Sequence, residues 1–406
     1  PLFSNWIMPQ QHGFLKGRST VTNLLTFTES VHRAFDEGVQ IDVISTDFTK
    51  AFDKLSHHHI LALLGSLGVF GPFLEWMRSY LVGRVQQVRL KNVFSAQFGV
   101  SSGVPQGSNI GPLLFLLAIN GVQSALEGVE YLAYADDLKL FCPIRCPEDC
   151  ELLQLRINAL TAWCSSNSLS LNPAKCSVMS IGRSQVTIEH NYVLGGLPLV
   201  RVSRVRDLGV IVDHNLTFYH HIDSICNSSL RALGRLKRNT RDFDDLGAIV
   251  FLYRATVLPI LEYCGTVWSP YYEIYRDRVE KVQRRFLRYL AFKARIPREE
   301  IDLRSLMDRH GLRTLEDRRR SADLIFFYRL LNGDISSPIL LSNIGITAPR
   351  YPTRSHQLFH VPFANRNYLY HRPLLRLPRL ANEFASANDF DFLASPLSAL
   401  KSLLRS

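Results

Sequence analysis

The spacing of apolar and polar positions lays out the elements of the chain before any chemistry is considered. Val21, Leu24, Leu25, Val31 and Phe35 recur at helical spacing, so the stretch they span reads as an amphipathic helix. Ser19 or Thr20 can cap its start and Gly38 can end it. Residues 39–48 become almost continuously apolar, as a buried strand should, and the run ends at Asp47. Ser56 is a suitable N-cap for a helix over 57–67. The triplet His57-His58-His59 falls at consecutive helical positions, which do not share a face, so it reads as a polar helix start and not as a metal set. Residues 85–100 alternate loosely around Lys91-Asn92, consistent with a strand pair. Residues 101–112 hold three Gly and two Pro, which bend the backbone and let a ligand or another backbone come close. An apolar helix over 113–126 follows, with Pro112 near its first position.

Residues 131–141 read as a β-hairpin, with Ala135-Asp136-Asp137 at or beside a tight turn. An amphipathic helix is expected over 148–168, a turn over 170–176, a strand over Ser177–Ile181, and short strands up to Asp213. From about 217 the pattern turns helical, over 218–238, 243–262 and 273–292. Residues 345–380 are rich in Pro, Arg, His and Tyr without a period and read as irregular. No internal repeat is present.

Size and charge narrow the function classes. With 406 residues, two to three domains and a sizeable core are expected. No run of about 18 uncharged apolar residues occurs, so no membrane span is expected. The first residues lack an initiator Met and the pattern of a signal peptide, so the chain is expected to start inside a longer one. The seven Cys do not form a zinc pattern, and reduced thiols in an intracellular protein are expected. The net charge of +11 suits a polyanionic partner, nucleic acid first. The helix over 273–292 sharpens this. It carries Arg276, Arg278, Lys281, Arg284, Arg285 and Arg288 around an apolar stripe of Val279, Val282, Phe286 and Leu290. With Arg318-Arg319-Arg320 downstream, these cations read as phosphate contacts.

The acids carry the chemistry. Asp136 and Asp137 repel each other on a turn, an arrangement that gains from a cation. Asp47 stands at the end of a buried strand. If the strands are neighbours, the three carboxylates converge and can hold two divalent ions about 3.5–4 Å apart. Such ions are hard, hence oxygen ligands and Mg²⁺, with Mn²⁺ as a substitute.

At this point the sequence resembles the reverse transcriptases of non-long-terminal-repeat retrotransposons, of the insect jockey type. The resemblance rests on Gln11-His12-Gly13-Phe14 through Arg18-Ser19, then Asp47-Phe48-Thr49-Lys50-Ala51-Phe52-Asp53. It continues through Gly103-Val104-Pro105-Gln106-Gly107-Ser108, Tyr134-Ala135-Asp136-Asp137, Leu171-Asn172-Pro173-Ala174-Lys175 and Leu208-Gly209-Val210. It implies an α+β right-hand polymerase fold. Residues 1–38 would be a remnant of the fingers. Residues 39–215 would be the palm, with an antiparallel sheet and a fingers insertion at about 54–106. Residues 216–300 would be a helical thumb, and 301–406 a basic, helical or irregular C-terminal region.

The resemblance also implies roles. Asp47, Asp136 and Asp137 would be catalytic metal ligands, with the Phe48 carbonyl helping. Phe52 would exclude a 2′-hydroxyl and so select deoxynucleotides. Gln106, Gly107, Tyr134 and Ala135 would lie against the incoming nucleotide. Lys175 would serve as a general acid for pyrophosphate, and Leu208, Gly209 and Val210 would hold the primer end. The implied partners are an RNA template, a DNA primer, their RNA–DNA hybrid and deoxynucleoside triphosphates. The implied settings are a cytoplasmic ribonucleoprotein and the nuclear target site. Two departures stand out: the family's more N-terminal finger motifs are missing, and Asn120-Gly121 replaces the more usual Asn-Asp. Two other functions remain open. One is an inactive element remnant that only binds nucleic acid. The other is an RNA-dependent RNA polymerase, against which Phe52 argues.

Overall fold

The buried run after Gly38 becomes the middle of a sheet. The computed structural model describes residues 6–184, 187–347 and 357–404. Helix α1 (Thr20–Glu37) starts at Ser19, whose hydroxyl accepts from the Thr22 amide while the Thr22 hydroxyl accepts from the Ser19 amide. It stops at Gly38, where φ is 71° and the amide turns back to the Ala34 and Phe35 carbonyls. Strand β1 (Gln40–Thr46) follows at once. Contacts divide the chain into two compact units, Pro1–Asn23 with Ala34–Ser203 and Leu24–Arg33 with Arg204–Ser406.

The first unit continues with α2 (Ala51–Lys54), α3 (His57–Ser66) and α4 (Gly71–Leu81). Four two-residue strands follow: β2 (Val85–Gln86), β3 (Arg89–Leu90), β4 (Val93–Phe94) and β5 (Phe98–Gly99). They nest as one hairpin, β3 on β4 inside β2 on β5, with Lys91 at φ 55° in its tip. Next come α5 (Gly111–Ile119), β6 (Glu130–Tyr134), β7 (Asp137–Ile144), α6 (Pro147–Ser166), β8 (Ser177–Ile181), β9 (Val193–Leu194), β10 (Leu197–Pro198) and β11 (Val200–Arg201). The main sheet has the order β11-β8-β1-β7-β6. Strand β1 is antiparallel to both neighbours, and only β11 runs parallel to its partner.

One face of this sheet is sealed by helices. Ile44, Leu140 and Ile144 share a core with Leu114, Phe115 and Ile119 of α5 and Leu153, Ile157 and Leu160 of α6. Each such side chain contributes about 1.5–3 kcal/mol on burial. A carboxylate also sits in mid-strand. Asp42 is wholly buried, and its oxygens accept from the Gln40 side-chain Nε2 and the Tyr192 hydroxyl, so its burial is compensated by hydrogen bonds.

Two expectations for this unit need correction. The helix expected over 113–126 stays α-helical only to Ile119, and a 3₁₀ stretch covers Asn120–Ala125. There the Asn120 side chain accepts from the Met8 amide and donates to the Trp6 carbonyl. A Cβ at Gly121 would lie 3.3 Å from the Trp163 indole nitrogen, which accounts locally for the departure from Asn-Asp. His57 is buried rather than part of a polar start, with Nε2 2.8 Å from the Gly103 carbonyl.

The second unit opens with a hairpin, β12 (Arg204–Asp207) and β13 (Val210–Asp213). Helices α7 (Tyr219–Asn239), α8 (Leu246–Thr256), α9 (Leu258–Glu262), α10 (Gly265–Trp268) and α11 (Glu273–Lys293) follow. The helix expected over 243–262 is thus broken, because Pro259 has no amide with which to extend the ladder from α8. The stripe on α11 is as expected: Val279, Val282, Phe286 and Leu290 are all buried, with Phe286 stacked on Tyr253 at 3.8 Å.

Beyond lie α12 (Leu303–Arg309), α13 (Leu315–Leu331), α14 (Pro338–Ser342), β14 (Gly345–Ile346), β15 (Phe359–His360), α15 (Asn367–Tyr370), α16 (Pro373–Asn388) and α17 (Leu397–Leu403). Residues 345–380 are therefore not all irregular, although 348–356 fall outside the described residues. Helix α16 tolerates Pro373 at its start and Pro378 one turn in, and it buries Leu374, Leu375, Leu377 and Ala381. Its two prolines masked the apolar face. No helix among the described residues is long and apolar enough to cross a membrane.

Candidate active site

The hairpin of β6 and β7 closes with Tyr134 opposite Asp137, leaving Ala135-Asp136 as a two-residue turn. Ala135 has φ 57° and Asp136 is not among the positive-φ residues, the sign pattern of a type II′ turn. Alanine pays for a left-handed backbone, so something must brace it. The brace comes from the N-terminal segment. Gln11 is fully buried; its Oε1 accepts from the Ala135 amide at 2.8 Å and from the Gly13 amide at 2.7 Å, and its Nε2 donates to the Ala135 carbonyl at 3.2 Å. A Cβ at Gly13 would lie 2.4 Å from the Ala135 nitrogen, which explains glycine at that position.

The same segment pairs with the edge of β6. The His12 amide donates to the Ala133 carbonyl and the Ala133 amide to that of Gln10. Asn23 adds a side-chain bond to the Ala133 carbonyl. Burial, with Arg18 and Lys139 nearby, pushes His12 down to about 3, so it is neutral at physiological pH and rests its Nδ1 against the Thr22 hydroxyl at 2.8 Å.

The other acid is delivered by β1. Ser45 lies opposite Lys139 and Thr46 opposite Leu138, where the pairing ends, one residue short of Asp47 on one strand and of Asp137 on the other. Thr46 locks the register through its hydroxyl to the Leu138 carbonyl. The strand end is fastened from the other side, where the Asn172 amide donates to the Asp47 carbonyl and the Thr49 amide to that of Ser170. Partial burial raises the pKa of Asp136, a backbone hydrogen bond counters this, and the charge of Asp47 raises it further. Asp47 also pairs with Lys175, Oδ2 to Nζ at 3.4 Å. Lys175 is exposed and Asp47 partly so, so the pair is worth about 1 kcal/mol or less.

Asp47 and Asp136 are therefore brought within electrostatic reach. Among the described residues, however, no three His, Cys, Asp or Glu side chains form a metal-sized cluster. The expected closed set of three carboxylates is not formed in this arrangement. The donor chemistry still fits a hard divalent cation: carboxylate oxygens, partly or fully exposed, that repel one another. The Phe48 side chain is buried, which leaves its backbone carbonyl as the one group it could offer.

Beside the acids, Phe52 stacks on Phe115 at 4.1 Å and meets Phe14 edge-on at 6.1 Å. The glycine loop is zipped onto the segment that carries Phe52. The Gly103 amide donates to Leu55, the Val104 amide to Phe52, and the Ser102 hydroxyl to Asp53. A Cβ at Gly103 would strike the Asp53 backbone at 2.8 Å. Gln106 donates to the Asp53 carboxylate at 2.8 Å at the side of an open cleft of about 510 Å³ that also includes Arg84, Gln86 and Ser102. Gly107 has φ 79°, and Tyr134 is half-buried at the end of β6.

The remaining expected residues belong to the second unit. Leu208 and Gly209, at φ 45° and 87°, form the two-residue turn between β12 and β13, and Val210 is buried. The Tyr263 hydroxyl donates to the Leu208 carbonyl at 3.0 Å. On α11, Arg276 pairs with Glu316, Arg278 with Asp223, and Lys281 and Arg284 with Asp277. Arg285 and Arg288 remain exposed. Of the triplet expected to touch phosphate, Arg319 is buried, the part-buried Arg318 pairs with Glu262, and Arg320 stays exposed, 3.5 Å from an exposed Glu383.

Sequence reasoning quoted Gln11 and Gly13 within a motif but saw no work for them. The signal available was a glycine two residues after a glutamine, ahead of a capped helix. Nothing in the sequence pointed to Tyr263.

Comparison with known proteins now bears on this arrangement. The family described as Reverse transcriptase (RNA-dependent DNA polymerase) matches residues 2–212. The probable RNA-directed DNA polymerase from transposon BS of Drosophila melanogaster is 29% identical over 298 residues, 70% of this chain and 32% of its own length. The RNA-directed DNA polymerase from mobile element jockey of Drosophila funebris is 26% identical over 258 residues, 60% of this chain and 28% of its own. The chain thus spans about a third of the length of these relatives. Among solved structures, apo telomerase from Candida Tropicalis aligns over 100% of this chain and 59% of its own at 10% identity, with a TM-score of 0.41, a likeness too slight to carry an argument.

Proposed function

Since the chain belongs to the reverse transcriptase (RNA-dependent DNA polymerase) family, we propose that it extends a DNA primer on an RNA template for a jockey-like, non-long-terminal-repeat retrotransposon. The observation that supports this most is electrostatic. A carboxyl at Asp136 is held against its own ionisation first by partial burial and then by the charge of a second carboxylate, Asp47, delivered just past the end of β1. A fold gains nothing from such a pair unless a cation is to be held there.

Asp47, Asp136 and Asp137, with the Phe48 carbonyl, would hold two divalent ions, Mg²⁺ or Mn²⁺, which would supply charge neutralisation and activation of the attacking hydroxyl. The primer 3′-hydroxyl gives up its proton to solvent, and its oxygen bonds to the α-phosphorus of the deoxynucleoside triphosphate as the bond to pyrophosphate breaks. Lys175 Nζ gives a proton to the leaving pyrophosphate oxygen. Its ion pair with Asp47 supports a place near the reaction. Phe52, backed by Phe115, leaves no room for a 2′-hydroxyl. Gln106, Gly107, Tyr134 and Ala135 line the nucleotide. Leu208, Gly209 and Val210 steady the primer end, and the cations of α11, Arg285 and Arg288 first, meet phosphates of the hybrid. This assigns the first unit to fingers and palm and α7–α11 to a thumb. The polymerase would travel in a cytoplasmic ribonucleoprotein and act at a nuclear DNA target.

The test is Mg²⁺-dependent primer extension on an RNA template by the full chain. Wild-type extension abolished by Asp136→Asn is expected. Full activity in that variant would refute the proposal. Salt-dependent RNA retention with no extension would favour the nucleic-acid-binding remnant instead.

A further inference from the structure

We infer that Gln11 is a positioning residue of the polymerase site, fixing the left-handed backbone of Ala135 and thereby aiming Asp136 and Asp137. The inference rests on the polymerase reading above. Its basis is one fully buried side-chain amide that satisfies both backbone groups of a residue 124 positions away: Oε1 accepts from the Ala135 amide and Nε2 donates to the Ala135 carbonyl.

The β-ladder cannot do this work. Pairing between β6 and β7 ends at Tyr134 and Asp137, and the N-terminal segment pairs with β6 only through Ala133. Ala135 lies past both. It holds φ 57° without being glycine, and it is followed by two carboxylates whose repulsion favours opening the turn. The amide is itself aimed, because Oε1 also accepts from the Gly13 amide, which folds the Gln11 side chain back over its own segment. The absent side chain of Gly13 lets that segment reach the turn; a Cβ there would sit 2.4 Å from the Ala135 nitrogen. A buried group must both accept and donate at this position, so a carboxylate or a thioether of similar volume cannot replace it.

The test compares the full chain with Gln11→Met, which keeps the volume and removes both bonds. Amide exchange reads the brace directly. Ala135 and Gly13 are expected to exchange about tenfold faster in the variant, with Ile44 and Leu140 unchanged. Broadening of the Asp136 and Asp137 amide signals by Mn²⁺ reads the aiming of the acids, and about fivefold more Mn²⁺ is expected to be needed in the variant. In primer extension, the single-turnover rate is expected to fall by about 10–100-fold, with the half-saturating nucleotide concentration changed less than about threefold. Gln11→Asn, one methylene shorter, should not restore any of these readouts.

Unchanged exchange at Ala135 overturns the geometry. Faster exchange with unchanged Mn²⁺ demand leaves Gln11 a structural residue only and overturns the inference. If the wild-type chain binds Mn²⁺ at Asp136 yet extends no primer, the polymerase reading fails, and exchange and broadening still decide the role of Gln11.

Discussion

The turns at Ala135-Asp136 and at Leu208-Gly209 have the same length, yet they are held in different ways. Each places a non-glycine residue at positive φ, 57° at Ala135 and 45° at Leu208. In the first, a buried amide from a distant segment takes both backbone groups of the strained residue. In the second, a local type I′ geometry with glycine in second place does most of the work, and a partly exposed tyrosine accounts for one carbonyl. The difference follows the load. The first turn presents adjacent like charges that push it apart, whereas the second presents only backbone. A turn that carries repelling charge needs bracing from outside its own hairpin.

The largest expected effect separates catalysis from stability at the first turn. Asp136→Asn should cut primer extension by about a thousandfold or more, while raising the thermal midpoint at neutral pH. The folded state raises the pKa of Asp136 through burial and Asp47. Its stabilising contribution is therefore present below the ordinary value of 3.8 and lost as pH rises through the raised one. Asparagine removes that loss, so the gap between variant and wild type should close below about pH 4. A variant that is both inactive and less stable at pH 7 would contradict the picture of a strained, charge-loaded turn.

Next come two glycines, Gly13 facing the first turn and Gly209 within the second. Gly13→Ala drives a Cβ against backbone at 2.4 Å and should cost about 1–3 kcal/mol. Gly209→Ala meets only the edge of the Tyr263 ring at 3.0 Å, which can rotate away, although its φ of 87° still costs roughly 1 kcal/mol. Urea unfolding of both variants would measure the difference, and equal losses would erase the contrast between the turns.

Acid should then act on the braced side. His12, held near 3 by burial, remains neutral in the folded chain below its ordinary value of 6.5, while the unfolded chain takes up a proton. Its contribution to stability is present above 6.5 and lost progressively as pH falls toward about 3. Substituting His12→Gln should flatten this slope in pH-dependent denaturation; an identical slope would assign the acid sensitivity elsewhere. The smallest effect belongs to the second turn. Tyr263→Phe removes one partly exposed hydrogen bond and should cost about 0.5–1.5 kcal/mol, with extension kept within about threefold of wild type.

Much of this was legible in the sequence where the physics is local. Ser19 and Ser56 cap helices, Gly38 ends one, and the hairpin tip falls at Ala135-Asp136, each set by contacts within a few residues. Legibility failed where a remote partner overrode a local cue. His57 looked like part of a polar helix start until the Gly103 carbonyl is seen against it. Helix α16 hid behind two prolines that its buried leucines outweigh. The cations of α11 looked free for phosphate, yet most are neutralised by acids that the sequence places up to 55 residues away.

By itself the sequence determined the identity of the chemistry: which strands are buried, where they end, and that aspartates stand at those ends beside an aromatic and a glycine-rich loop. Periodicity and capping are short-range, so one chain read in order suffices for them. Only the tertiary structure decided what those groups meet. It set Asp47 against Asp136 and Lys175, gave Gln11 to Ala135, and turned Arg318 and Arg319 inward. A buried polar group is satisfied by whatever donor or acceptor folding delivers to it, and that pairing is fixed by the packing of distant segments, which no local pattern records.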